Sequence, residues 1–326
     1  MSGGSLLVAA VLITVVPVLI YVWVLWRVDR YEKEPVSLLG ASLVGGAVVA
    51  PILTSLVEGA TGIPTSVFPA LFQRYPITPP NMGGAIVEEL AKAAVVLAVY
   101  VILRGEFDNT LDGVVYGATV GAGFALAEAV VYLSDLVSVA GAANLTPGFF
   151  GDLFLSGLTH CVFSALFGAA LGYVRETAPS RAGRLVIPLV GLAAALIYHV
   201  AYVAAGSAGL AGISGSAGLL IGLGRRVADV AGLLLLGLIV LWAWSRERHI
   251  LRWALAEEVG SGLLTADELS AVAQGRMPWE RPLREALAEM AFAKWRLSRG
   301  LGTQAQVDRQ RERVKQLRSA HAGSGR

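Results

Sequence analysis

Apolar runs of about 20 residues recur along the first three quarters of this 326-residue chain, and they constrain its fold more than any other feature. A run of that length crosses the hydrocarbon core of a bilayer as an α-helix. Inside lipid a segment must satisfy its own backbone hydrogen bonds, which leaves only helices and closed β-barrels. The runs show no alternation of apolar and polar residues with a period of two, so the sequence predicts helices. Composition agrees, because 55% of the residues are hydrophobic and 15% are charged, against about 25% charged in typical soluble domains.

Seven such runs predict an all-α, polytopic membrane bundle of about seven transmembrane helices. Basic residues follow the first span at Arg27, Arg30 and Lys33 and the seventh at Arg246 and Arg248. Cytoplasmic loops are enriched in Lys and Arg, so we expect the N-terminus outside and the C-terminus inside. The first run lacks a preceding basic segment and is interpreted as a retained span, not a cleaved signal. The predicted spans are 5–26, 38–58, 83–103, 111–133, 148–173, 185–206 and 227–244.

The last part of the chain, residues 245–326, has a different composition, with 15 basic and 10 acidic residues. Thr265 is a helix N-cap followed by two acidic residues, and Gly275 and Pro278 end that helix. A second helix is predicted from about Pro282 to Arg299, and the residues after 320 are expected to be disordered. The sequence therefore predicts two parts: a transmembrane domain over 1–244 and a small helical cytoplasmic tail over 245–326.

The third predicted span contains three ionisable residues within five positions, Glu88, Glu89 and Lys92. Each charged side chain near the centre of a span costs roughly 2.5–3.5 kcal/mol, so such groups persist where they pair and face protein or water. Lys92 follows Glu88 by four residues and Glu89 by three, which brings its ammonium to both carboxylates within one helical turn. The carboxylate that Lys92 does not neutralise is a candidate general base for water. An ion pair that only fixes the register of the helix remains the alternative.

The fourth predicted span carries one acidic residue on its close-packing face. Gly113, Gly117 and Gly121 repeat at intervals of four, a pattern that lets another helix approach closely. Helical geometry puts Glu128 on this same face, and not toward lipid. An acidic residue inside a span is usually retained for function, although a structural hydrogen bond would also explain it.

Single histidines occupy the next two spans, His160 in the fifth and His199 in the sixth. One intramembrane histidine is often only an interhelical hydrogen-bond donor, but two of them follow the spans that carry the acidic residues. With the predicted topology, Glu88 and Glu89 lie about 8–9 Å below the outer edge of the membrane. Glu128 and both histidines fall at overlapping depths in the outer half. The shared depth predicts one site built from four helices.

The motifs Glu88-Glu89-x-x-Lys92 and Phe124-x-x-x-Glu128, followed by His160 and His199, resemble the PrsW family of intramembrane proteases over about 83–206. The resemblance implies a glutamic-type or metal-assisted endopeptidase, distantly related to the CAAX-prenyl and abortive-infection proteases, in a bacterial plasma membrane. It implies that the substrate is a single-span membrane protein, such as an anti-sigma factor, cut near the extracytoplasmic side. Nothing in the sequence indicates nucleic-acid binding.

The resulting hypothesis gives each of these residues a role. Glu88, or Glu89 with it, activates a water for attack on a peptide carbonyl, and Lys92 tunes the pair. The two histidines orient that water or stabilise the oxyanion, and Glu128 protonates the leaving amine. This scheme requires no cofactor. An alternative scheme uses zinc, with these ligands: Glu88, Glu128, His160 and His199.

Two other classes of function stay open at this point. One is a non-catalytic membrane scaffold of the same fold. The other is a proton-coupled transporter, in which intramembrane acidic residues and histidines relay protons, although the sequence shows no inverted repeat of the kind transporters use. No HExxH zinc motif is present on any predicted span. A GxSG motif at 212–215 is followed only by tail histidines, which disfavours a serine protease of the rhomboid kind.

Overall fold

The protein is all-helical wherever the computed structural model describes it, which is over residues 3–63, 65, 82–140, 147–177, 180–210, 216–275 and 281–324. No β-strand occurs in these ranges. A π-helical turn, Gly45–Val49, joins the second and third helices. The helices are α1 (Gly3–Val28), α2 (Val36–Val44), α3 (Ala50–Thr61), α4 (Met82–Ile102), α5 (Thr110–Ala140), α6 (Pro147–Thr177), α7 (Arg181–Leu210), α8 (Ser216–Gly260), α9 (Ala266–Ala273), α10 (Arg281–Ser298) and α11 (Gln304–Ser324).

Each of the seven predicted spans overlaps a helix, and five of the described helical segments are long and apolar enough to cross a membrane. The remaining two predicted spans fall on α1 and on α4, the helix that carries the three charged residues. The prediction of a multi-pass helical membrane protein is confirmed, while the count of seven and the orientation of the termini stay predictions. The five segments are Val36–Thr61, Thr110–Ser134, Leu153–Thr177, Arg181–Ala205 and Arg226–Gly260.

Helices α5 and α6 form the centre of the bundle and touch backbone to backbone. A Cβ atom at Gly117 would lie 2.6 Å from the carbonyl oxygen of Ser164, and one at Gly121 would lie 2.8 Å from the carbonyl carbon of His160. Side chains do not fit at such distances, so glycine is required on this face. The predicted close-packing face of the fourth span is therefore confirmed, and it brings α5 directly against the helix that carries His160.

The other helices surround this pair. The Tyr21 hydroxyl of α1 donates to the carbonyl of Phe154 on α6 at 2.6 Å. The π-helical turn lies on α5, because a Cβ at Gly46 would be 2.8 Å from the carbonyl carbon of Val120. Helix α7 packs on α6 at Gly191. Helices α4 and α7 also contact each other, and this arrangement closes a ring of α4, α5, α6 and α7.

The C-terminal module, residues 261–324, packs on the long end of α8. Helix α8 continues without a break past the predicted domain boundary at 244 as far as Gly260. The predicted N-cap is confirmed, because the Thr265 side chain and Glu268 form a reciprocal capping box. The predicted second helix corresponds to α10. The expectation of disorder after 320 was wrong as far as Ser324, because Gly300, with φ of 71°, ends α10 and the chain then forms the further helix α11.

The loop between α1 and α2 links this module to the membrane helices. Tyr31 is buried in the core of the module, and its hydroxyl donates to the carbonyl of Ala273 at 2.8 Å. The neighbouring acidic side chains are removed from water. Burial raises the pKa of Asp29 to about 7 and that of both Glu32 and Glu34 to about 8. This junction therefore contains carboxyl groups that titrate near neutral pH.

Candidate active site

Helix α4 presents Glu88, Glu89 and Lys92 to the interior of the bundle, where all three are buried. The ammonium of Lys92 donates to Glu89 Oε1. Its Nζ also lies 4.7 Å from the ring centroid of Phe124 on α5, a distance at which the ring attracts a cation. The predicted pairing of Lys92 with Glu89 is confirmed, and the fully buried charge is held by a carboxylate and an aromatic face.

His160 on α6 makes a polar contact at each of its ring nitrogens. Nδ1 lies 3.1 Å from Lys92 Nζ, and Nε2 lies 2.8 Å from Glu128 Oε2. An ammonium can only donate hydrogen bonds, so Nδ1 accepts from Lys92 and Nε2 carries the proton that it donates to Glu128. This assignment of the tautomer fixes the direction of the chain of hydrogen bonds, which runs from Lys92 through His160 to Glu128.

His199 on α7 faces the two glutamates of α4. Its Nδ1 lies 2.8 Å from Glu89 Oε1 and its Nε2 lies 3.9 Å from Glu88 Oε2. The ring stacks on Phe163, with centroids 4.5 Å apart and an interplanar angle of 20°. The contact at Nδ1 is close, but the two atoms are not aligned as a hydrogen bond, and no other group in the described ranges bonds to Nδ1. Glu89 Oε1 is thus the polar atom that faces this buried ring nitrogen.

The four helices therefore bring all six residues predicted from the sequence into one cluster. The two imidazole rings are perpendicular, with centroids 5.2 Å apart. Five of the six side chains are almost fully buried, and the Glu128 side chain is the most accessible, with 24% of its surface exposed. Glu128 is therefore the member of the cluster nearest to the surface of the described residues.

Three of these residues, Glu89, His160 and His199, fit the requirements of a divalent metal. Each offers one ligand atom, and the three atoms lie within 4.8 Å of one another. Ligand atoms around a tetrahedral zinc ion are about 3.4 Å apart, so the three atoms would have to approach one another by up to about 1.4 Å to bind one ion. His199 Nδ1, whose contact with Glu89 Oε1 is not aligned as a hydrogen bond, is the kind of donor that a metal would use. This set differs from the ligands predicted from the sequence, because Glu89 takes the place of Glu88 and Glu128 lies behind His160.

Two further side chains near the histidines were not predicted from the sequence. Phe163 lies between His199 and the Lys92 ammonium, whose Nζ is 5.5 Å from the ring. Asp229, on α8, is buried and accepts a hydrogen bond from Thr159, the residue before His160. A lone acidic residue at the start of the seventh predicted span was the only signal for Asp229.

Apolar helices that enclose carboxylates, two imidazoles and an ammonium define a class of protein: a multi-pass membrane protein with a buried polar site. The sequence profile of a family described as "PrsW family intramembrane metalloprotease" matches residues 34–244. This match begins just before α2 and ends within α8, at the predicted end of the seventh span. It includes every residue of the site. The chain belongs to the PrsW family.

Two curated relatives support this assignment over part of their length. The chain is 33% identical over 156 residues to "Protease PrsW" of Geobacillus kaustophilus strain HTA426, which is 47% of this chain and 61% of that protein. It is 31% identical over 115 residues to "Protease PrsW" of Bacillus subtilis strain 168, which is 32% of this chain and 44% of that protein. The chain thus spans about half the length of these relatives. No solved structure matches it.

Proposed function

We propose that this protein is an intramembrane endopeptidase that hydrolyses a peptide bond of a membrane-anchored protein. The observation that carries the proposal is the buried cluster in which Glu88, Glu89 and Lys92 meet His160 and His199. Membership of the PrsW family and the names of the two relatives support it. The cluster combines a carboxylate base with hydrogen-bond donors for an oxyanion, and these are the groups that peptide hydrolysis uses.

The contacts favour different roles for the two neighbouring glutamates. Glu89 is held between the Lys92 ammonium and the ring of His199. Glu88 Oε2 lies 3.9 Å from His199 Nε2. Because Glu89 is committed to Lys92 and His199, we assign Glu88 as the general base that takes a proton from water, and Glu89 as the residue that fixes Lys92 and His199. His199 orients the water, and Lys92 stabilises the developing oxyanion.

The chemistry of the site also accommodates a metal. Glu89, His160 and His199 would hold a divalent ion, and a bound zinc would polarise the peptide carbonyl and acidify water. Lys92 would then have to leave the nitrogen of His160 that it now contacts. Glu128 would keep its hydrogen bond to the other nitrogen of His160, an arrangement that orients metal-binding histidines in many sites. The description of the family as metalloproteases favours this variant over the metal-free one.

The substrate and the topology belong to the same proposal. With the N-terminus outside and the C-terminus inside, the cluster lies in the outer half of the bilayer, and cleavage occurs near the extracytoplasmic side. A single-span protein of the bacterial plasma membrane, such as an anti-sigma factor, would bring an unfolded juxtamembrane segment to this depth. Entry beside Glu128, the most exposed member of the cluster, is consistent with such a substrate.

The decisive experiment compares three conservative variants in a bacterial membrane. The chain is co-expressed with a library of single-span membrane proteins tagged at both ends, and fragments are separated by mass. We expect wild-type chain to release a juxtamembrane fragment from at least one substrate. Glu88→Gln should abolish release while leaving the zinc content of purified protein unchanged, whereas Glu89→Gln should reduce both. Glu58→Gln, a carboxylate on α3 that bonds Thr65 outside the cluster, is the matched control and should behave as wild type.

Each alternative function predicts a different outcome of this experiment. A non-catalytic scaffold would bind single-span proteins equally well as the wild-type chain and as Glu88→Gln, and no fragment would form. A proton-coupled transporter would show Glu88-dependent uptake without fragments. Fragment release that survives Glu88→Gln would refute the assigned general base. Absence of zinc from active protein, together with no effect of chelators, would remove the metal variant and leave the scheme based on glutamate and lysine.

A further inference from the structure

Helix α8 carries none of the six residues of the cluster, yet one of its turns is bonded to both histidine-bearing helices. Asp229 is buried, with 3% of its surface exposed. Its Oδ1 lies 3.1 Å from the Thr159 hydroxyl of α6, and its Oδ2 lies 3.3 Å from Arg226 Nη1. The Thr159 hydroxyl has a single proton, which it shares between Asp229 and the carbonyl of Leu155 at 2.8 Å. This contact joins α8 to α6 immediately beside His160.

The second contact joins the same turn of α8 to α7. The Tyr198 hydroxyl donates to the carbonyl of Ala228, the residue before Asp229. The tyrosine ring crosses α8 at Gly232, where an added Cβ would lie 2.7 Å from Tyr198 Cζ. Tyr198 also packs edge-on against Phe163, with centroids 5.0 Å apart, and Phe163 stacks on His199. We call Ala228 and Asp229 the α8 anchor.

Both donors to the α8 anchor immediately precede a histidine of the cluster: Thr159 precedes His160, and Tyr198 precedes His199. The anchor therefore fixes the axial position and rotation of α6 and α7 relative to each other at the level of the two rings. We propose that Asp229 is a positioning residue for His160, acting through Thr159. The proposal rests on the proposed function. It adds a residue of the seventh predicted span to those that set the geometry of the site.

Geometry explains why this bond would affect the site. His160 is held by contacts of 3.1 Å to Lys92 and 2.8 Å to Glu128, on two different helices. A rotation of α6 that lengthens either contact beyond about 3.5 Å breaks it. Residues that orient a catalytic or metal-binding histidine from outside typically change activity or metal affinity by about 10–100-fold when removed. Loss of a purely structural hydrogen bond between helices would instead lower the stability of the fold and leave the site unchanged.

The test uses the full chain, reconstituted in nanodiscs, with two substitutions that change Thr159. Thr159→Val removes the hydroxyl at nearly constant volume, and Thr159→Ser restores it. Thr119→Val is the matched control, because Thr119 is also buried, and within the described part of the chain its hydroxyl bonds only the Val115 carbonyl of its own helix, at 2.7 Å. The readouts are kcat and KM for cleavage, zinc affinity by chelator competition, and the melting temperature. Asp229→Asn and Asp229→Ala form a second pair, since asparagine retains the accepting oxygen.

We expect Thr159→Val and Asp229→Ala to lower kcat by about 10–100-fold with little change in KM, and to weaken zinc binding by a similar factor. Thr159→Ser and Asp229→Asn should return to within about threefold of wild type. If Thr159→Val matches Thr119→Val in kcat and in zinc affinity, Asp229 is only structural and the inference is wrong while the proposed function stands. If Asp229→Asn is as impaired as Asp229→Ala, the charge and not the bond matters, and the inference is also wrong. A wild-type chain that neither cleaves nor binds zinc would overturn the proposed function itself.

Discussion

Replacing Gly121 by alanine tests whether the close contact of α5 and α6 sets the geometry of the site. An alanine Cβ at this position would lie 2.8 Å from the carbonyl carbon of His160 and 3.0 Å from the Cα of Cys161. Carbon atoms in favourable contact are about 3.5–4.0 Å apart. Because the obstacle is helix backbone, which cannot rotate away, the two helices must separate locally by roughly 1 Å.

The separation has a calculable effect on the site. His160 Nε2 lies 2.8 Å from Glu128 Oε2 of α5, and a displacement of about 1 Å takes this pair beyond hydrogen-bond length. A misplacement of about 1 Å in a catalytic group costs on the order of 10²-fold in rate. Overpacking of this kind also lowers the stability of the fold by about 1–3 kcal/mol. We therefore expect Gly121→Ala to remain folded and to lose about 10²-fold in kcat.

Two further alanine substitutions separate the local effect from general destabilisation. Gly113→Ala produces an equivalent clash, 2.7 Å from the carbonyl carbon of Gly168. That contact lies eight residues from Gly121, about 12 Å along the helix. Gly237→Ala on α8 meets no atom within 4 Å. Cleavage rates and melting temperatures are measured for all three variants in nanodiscs. If Gly121→Ala keeps wild-type kcat, or loses no more than Gly113→Ala does at equal melting temperature, then the contact does not position His160.

Three other perturbations give distinct results. Lys92→Met leaves Glu89 buried without its cation and should destabilise the protein by about 3–5 kcal/mol; combining it with Glu89→Gln should restore part of the melting temperature. Carboxyl groups whose pKa is raised in the folded state stabilise it fully below their ordinary pKa and lose that contribution as pH rises through the raised pKa. The melting temperature should therefore fall between about pH 5 and pH 8. Glu32→Gln should make this fall less steep, because it removes one of the two carboxyl groups, Glu32 and Glu34, whose pKa is about 8. Thr265→Ala removes a capping box and should cost about 0.5–2 kcal/mol in unfolding assays without changing cleavage.

Much of the fold was predictable because the membrane leaves few options for the backbone. Runs of apolar residues fix where helices cross, and Gly113, Gly117 and Gly121 mark the face that meets another helix. The sequence could not predict the π-helical turn at Gly45–Val49, because no residue type marks the place where backbone hydrogen bonds change from an i→i+4 to an i→i+5 pattern. Nor did it predict that α8 continues to Gly260. The charged residues after 244 suggested a domain boundary, but they also favour helix, so the helix continues through them.

The site was predictable in its location but only partly in its contacts. Depth in the bilayer follows from position along a span, so the shared level of the glutamates and histidines could be derived. Which carboxylate contacts which nitrogen depends on helix rotation, and a rotation of one residue exchanges the surroundings of Glu88 and Glu89. This explains why the predicted metal ligands included Glu88, whereas the structure brings Glu89 Oε1 to 2.8 Å from His199 Nδ1. Asp229 was missed because its partner Thr159 is an ordinary residue until the helices are assembled.

The balance of charge in the cluster connects its burial with its chemistry. With ionised carboxylates and neutral imidazoles, Glu88, Glu89 and Glu128 carry three negative charges and Lys92 carries one positive charge. A net charge of this kind is costly in low dielectric unless it is compensated. One divalent cation would compensate it, and so would protons shared with the two histidines. Helix α4 can therefore cross the membrane only as part of the bundle, where α5, α6 and α7 supply Phe124, His160 and His199. The same contacts that would make the third predicted span tolerable in lipid also fix the positions of its carboxylates.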